Sequence, residues 1–241
     1  MRDDLPPMKE LKNWRELSYK FLIFGMGQYI ILTSIAMVFY SGGTLVNPLS
    51  HGYDFWGNLF SDLGRIIALS GEPNTISFII FTITALIFAF SFLPFTLALP
   101  KLFMGKEAQY KLILIGTGVG VLTIASLLGT VLTPWDLFYN MHLLFSNLFN
   151  ILGSLVLLFY ALAILYNNDY PNFYAYIYVS ILVFGVIYTF TLLFLPKVVS
   201  IEIITVQATM QKISQYAFIS CFIIQAHGAL NREKINIDNK Y

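Results

Sequence analysis

Six apolar runs, at about 21–40, 75–99, 112–133, 141–166, 173–195 and 213–230, limit what this chain can fold into more than any other feature. Each is close to the roughly 20 residues that span about 30 Å of hydrocarbon. Lipid offers no partner to a backbone N–H or C=O, so each run must close its own hydrogen bonds as a helix. The punctuation agrees. Pro100, Pro134, Pro171 and Pro196 stand at run ends, Asn74 is placed to cap the second helix, and Pro94 is placed to bend it. The expected fold is an all-α membrane protein, a six-transmembrane-helix bundle. Composition bears on this directly: 11% of the 241 residues are charged, against about 25% in a soluble domain.

Residues 1–20 form an N-terminal segment in which "MKELKNWRELSYK" reads as a short interfacial helix with Leu11, Trp14 and Leu17 on one side. The run behind it is longer than a signal-peptide core and ends in "VFYSGG" rather than a small-residue cleavage site, so it is expected to be a retained first span. The membrane domain covers 21–230, and 231–241 is a tail. Lys and Arg are distributed unevenly. Eleven fall in the two terminal segments and the 100–111 loop, and three (Arg65, Lys197 and Lys212) fall on the opposite side. The positive-inside rule then puts both termini in the cytoplasm and 41–74, 134–140 and 196–212 outside, in the cell (plasma) membrane.

Net charge is +1, and no basic block or aromatic-basic interleaving argues for nucleic acid. The lone Cys221 cannot form an internal disulfide. Aromatic clusters such as "YDFW", "PWDLFY" and "YPNFYAYIY" lie near run ends, where an interfacial belt is expected. Gly116 and Gly120, four apart in the third span, read as a close helix-packing face. His51, His142 and His227 are too scattered along the threading to gather round a metal, and no cofactor motif is present.

The polar residues that do enter or border the spans fall in three groups. The first is "GNLFSDLGR", with Asn58, Ser61, Asp62 and Arg65, in a 41–74 loop whose apolar content argues for a folded lid. Ser61 or Asp62 is expected to cap a short helix running to about Leu69, with Arg65 pairing to Asp62. The second is "TPWDLFYNMHLLFSNLFN", where Asp136 precedes His142, Ser146 and Asn150 on one helix face, with Asn147 beside them. Interhelical hydrogen bonding accounts for the asparagines, whereas His142 has an acid close by that could set its tautomer. The third is "SIEIITVQATMQKISQ". A sixth span starting near Ile213 leaves Lys212 at the outer boundary, able to snorkel, with Gln211 beside it.

With "NLFSDLGR…GEPNTISFIIF", "TPWDLFYNMH" and "MQKI" in view, the chain resembles the six-span membrane proteins grouped as domain of unknown function 998 and, more distantly, the DRAM-like six-span family. The resemblance covers roughly 21–230 and implies the same threading without an activity. Such proteins tend to carry an acid-base pair at the start of the sixth span, where this chain has Gln211 before Lys212.

Three functions are compatible with this pattern. The first is an outward-facing pocket walled by Asp62, Arg65, Asp136, His142 and Lys212 that binds or moves a small polar or amphipathic solute, such as a lipid headgroup. The second is a lipid-directed hydrolase or transferase using His142 and Asp136, with Ser61 or Ser146 as nucleophile. The third is a non-catalytic partner or sensor subunit in the lipid bilayer.

Overall fold

The computed structural model describes residues 8–194 and 200–238. Pro196, Lys197 and the end of the tail, on which parts of the reading above rest, lie outside those residues. Seven α-helices occur in chain order: α1 Met8–Val38, α2 Phe60–Leu63, α3 Thr75–Ala98, α4 Glu107–Leu132, α5 Tyr139–Leu165, α6 Asn172–Phe194 and α7 Ile201–Asp238. All but α2 are long and apolar enough to cross a membrane. Among the described residues there is no strand, only one isolated bridge between Ile67 and Pro73. The protein is a multi-pass, six-helix bundle.

Connections between successive spans force antiparallel neighbours. α1 packs on α3, α3 on α4, α4 on α5, α5 on α6 and α6 on α7, and α7 returns to α1, closing the ring. The start of α1 and the end of α7 therefore lie at one end of the bundle, here the terminal end, and the 39–74 connection covers the other, the lid end. A salt bridge of 2.8 Å from Arg15 to Glu233 fastens α1 to α7 at the terminal end. Lys106 reaches the α5–α6 turn there, donating to Asn167 at 2.8 Å and pairing with Asp169.

The main core belongs to the terminal half. Tyr19, Phe95, Tyr160, Tyr178 and Phe222 are fully or almost fully buried in it. Gly116 is where α4 meets α5: a Cβ there would stand 2.6 Å from the Tyr160 ring, so only glycine allows the approach. On the axis, Phe92, Phe218 and Phe222 pack with ring centroids 4.6–5.6 Å apart. They leave a cavity of about 30 Å³ with a nearly all-apolar lining. Packing loosens toward the lid end on one side. No residue of α5 before Val156 is buried, and beyond Tyr178 the described residues of α6 bury only Tyr188.

Helix ends revise several expectations. α1 is continuous from Met8, so the interfacial segment is the first part of span 1 rather than a separate helix. Trp14 packs on the core while Leu17 is exposed, so the two do not share a role. α7 begins at Ile201, twelve residues before the expected start. In the polar stretch "EIITVQATMQK", Gln211 and Lys212 meet partners in the lid, which hydropathy does not register.

The lid has a small core of its own. Ala36, Tyr40, Phe60, Leu63 and Ala68 are buried together against Met37, Tyr53, Phe81 and Tyr216. Its helix is the single turn Phe60–Leu63, shorter than the expected run to Leu69. Asp62 sits inside that turn, its carboxylate accepting from Leu59 N–H at 2.8 Å; neither it nor Ser61 is the N-cap residue, which is Leu59. Asn74 does not cap α3 with its side chain. It accepts from Ser41 N–H at 3.3 Å and donates to Leu63 O and Arg65 O at 3.2 and 2.9 Å, knotting the two ends of the lid.

Gly43 decides whether the lid can close. Its φ is +85°, and a Cβ would fall 2.2 Å from Ser70 N, a backbone atom with no freedom to withdraw. We expect Gly43→Ala to destabilise the lid by about 1–3 kcal/mol. Faster proteolysis within 41–74, with the spans still folded, is the readout; wild-type resistance would refute the assignment.

Candidate functional site under the lid

Lys212 stands eleven residues beyond the start of α7, roughly 16 Å along the helix. It is 2% exposed, so it does not snorkel to a boundary as an α7 starting near Ile213 would allow. The lid comes down onto it instead. Its Nζ donates to the carbonyl oxygen of Asn58. The rings of Tyr53, Phe55 and Phe60 surround the same nitrogen, with centroids at 5.4, 5.1 and 5.5 Å. These distances fall within the roughly 6 Å over which an aromatic face attracts a cation. Next to it, Gln211 Oε1 accepts from Phe60 N–H at 2.8 Å, a second bond from α7 into the lid.

Asp62 is equally buried, at 1% exposed. One of its oxygens accepts from Leu59 N–H at 2.8 Å and from Asn58 Nδ2 at 3.1 Å; the other is buried without a partner. Asn58 is the hub. Its amide also donates to Gly43 O at 2.9 Å, its Oδ1 accepts from Asp54 N–H at 2.9 Å, and its main-chain oxygen takes Lys212. Asp62 and Lys212 are thus joined through one asparagine rather than in a direct ion pair. Burial raises the Asp62 carboxyl above the ordinary carboxylate range, against the lowering effects of the Asn58 and Leu59 hydrogen bonds and of the Arg65 and Lys212 charges.

The remaining predicted residues form a second contact. Asp136, in the α4–α5 turn, accepts from Ile66 N–H and Ile67 N–H, both at 3.0 Å. Arg65 lies 4.7 Å over the Trp135 ring and donates from Nε to Ile67 O at 2.8 Å. It stacks on the turn instead of forming the expected pair with Asp62. His142 Nδ1 is 2.8 Å from Thr133 O. A carbonyl can only accept, so Nδ1 carries a proton, and in the neutral ring Nε2 keeps its lone pair. No hydrogen bond joins His142 to Asp136. Ser146, Asn147 and Asn150 are half-buried along α5, away from these bonds, and Ser61 is half-buried on the lid turn.

The structure therefore gathers Asn58, Asp62, Gln211 and Lys212 in one place and Arg65 and Asp136 in another, with His142 beside the turn. It adds Tyr53, Phe55 and Trp135, from clusters near run ends assigned to an interfacial belt, and Phe60 of the lid turn. Nothing local in the sequence marks them, because the lysine that Tyr53, Phe55 and Phe60 surround is more than 150 positions away and the arginine over Trp135 is 70 away. Among the described residues, no three His, Cys, Asp or Glu side chains come together closely enough to hold a metal ion. In comparison with models of protein families, with curated proteins and with solved structures, the chain has no match.

The raised Asp62 carboxyl has a pH signature. The closed state holds its proton more tightly than the unfolded chain does. Stability from this group is therefore complete below the free carboxylate value near pH 4 and falls as pH rises through the raised value. Melting the wild type beside Asp62→Asn from about pH 4 to about pH 8 should show the variant gaining on the wild type as pH rises. Parallel profiles would show that Asp62 does not titrate in this window.

Proposed function

We propose that this protein binds an amphipathic or small polar solute, a lipid headgroup above all, at the lid end, and that this end faces outward from the plasma membrane with both termini in the cytoplasm. The orientation rests on Arg15, Lys20, Lys101, Lys106, Lys111 and Arg232, all of which crowd the terminal end, as positive-inside charges do.

The observation that carries the binding reading is the buried Lys212. A charged group inside a membrane-spanning helix is expensive and usually marks a ligand or ion site. This one is covered by a lid that is held to the bundle by its small apolar core and by separate polar contacts at Gln211, Lys212, Asp136 and Asn74. Next to the lid, the looser halves of α5 and α6 give an amphipathic molecule a lateral approach from the bilayer. A route through the bundle has less support, because aromatic rings fill the axis. Catalysis by His142 with Asp136 also has less support, because His142 Nδ1 is held by Thr133 O and no hydrogen bond joins the two side chains.

Native mass spectrometry of the detergent-purified protein tests the reading. The wild type should retain a lipid or solute at fixed stoichiometry, and the Asn58→Ala, Gln211→Ala double variant, which unfastens the lid from α7, should lose it. The same nonspecific lipids on both proteins would refute binding at the lid.

A further inference from the structure

The lid side of the Lys212 site is built only from groups that recognise a cation. Three aromatic faces, from Tyr53, Phe55 and Phe60, stand 5.1–5.5 Å from Nζ. Asn58 adds a carbonyl oxygen, and Asp62 adds a carboxylate, one of whose oxygens is buried and unpartnered. An anion displacing the lid would find one ammonium and lose every other contact there. A cation would find the whole arrangement complementary.

Two carboxylates act on this one ammonium. Both Asp62 and Asp54 attract Lys212, and Asp54 is exposed at the lid rim. Arg65, the other cation near Asp62, is occupied by Trp135 and Ile67 O. Asp62 Oδ1, buried without a partner, is thus open to a second cation. The lysine stem, with four rotatable carbons, can carry its charge toward the rim while a second cation enters the cage.

From this geometry we infer, building on the reading of the lid end as a binding site, that Tyr53, Phe55, Phe60 and Asp62 form a receptor for an alkylammonium group, with Lys212 as its resident, displaceable occupant. Quaternary and methylated ammonium groups are the cations that aromatic cages hold best, since they shed water easily and spread charge over their methyl surface. The group could arrive on a choline-type headgroup or as a free amine.

The test uses the full chain in phosphatidylglycerol nanodiscs, titrated with tetramethylammonium chloride against sodium chloride at equal ionic strength, with thermal unfolding as the readout. A parallel set uses phosphatidylcholine nanodiscs. Saturable stabilisation by tetramethylammonium is expected, at least tenfold tighter in Lys212→Ala, where no occupant competes. Adding Phe55→Leu, which keeps apolar volume and removes a π-face, should weaken it about tenfold. Stabilisation by phosphatidylcholine alone would assign the headgroup as the source, and stabilisation by the free ion would assign a soluble amine. If Lys212→Ala does not fold, Phe55→Leu is compared in the otherwise native chain, and an unchanged response to both cations overturns the inference. It is also overturned if neither cation stabilises wild type or Lys212→Ala. An anionic lipid retained by the wild type and lost without Lys212 would overturn the cage while leaving lid-end binding intact.

Discussion

A charged amine held well inside a membrane-spanning helix must be solvated by something other than water, and much of the lid follows from how this chain does so. Lys212 lies eleven residues into α7 and, with the lid closed, its charge stays buried. The 39–74 segment therefore brings the solvent substitute to it: a carbonyl from Asn58 and faces from Tyr53, Phe55 and Phe60. To present that carbonyl, Asn58 must be fixed, and its side chain is held from both sides by Gly43 O and Asp54 N–H. To reach Asn58, Gly43 must pass against Ser70 in a conformation that only glycine tolerates. Glycine, asparagine, aspartate and lysine thus form one chain of physical necessity.

The attachments of the lid explain why polar residues gather at this end of the bundle. A loop lying over apolar helix ends exposes backbone groups that helices satisfy internally. Asp136 takes two of these N–H groups, Gln211 takes one, and Asn74 donates to two carbonyls. Each of these side chains meets backbone rather than an opposite charge. The His142 ring likewise meets backbone, tying the start of α5 back to Thr133.

What could be read from the sequence and what could not differ in range. Helix existence follows from hydropathy and from the lack of backbone partners in lipid, and the six spans were visible for that reason. Gly116 was legible as a packing position because small residues matter to contacts between adjacent helices. The start of α7 was not, since hydropathy scores glutamine and lysine as though they faced water, and their partners come from a segment far away in the chain. Asp62 and Arg65 were picked out as important, but their pairing was inferred from spacing within one turn. The actual partner of Arg65 is Trp135, which no local rule connects to it. Asn74 looked like a cap because it precedes a helix; its side chain was claimed by the other end of the loop.

The bundle is also unequal along its length. At the terminal end, aromatic packing and the Arg15–Glu233 bridge close the ring. Toward the lid, α5 and α6 lose burial while α1, α3 and α7 keep it through the lid's own small core. Helices in lipid gain little by hiding apolar surface from one another, so close packing and hydrogen bonds decide where they hold together. The half of α5 and α6 with less burial is the half with His142, Ser146 and Asn150 along one wall. A molecule with a polar head and an apolar body would find the tail environment at α5 and α6 and the head environment at the lid, within one span's length of each other.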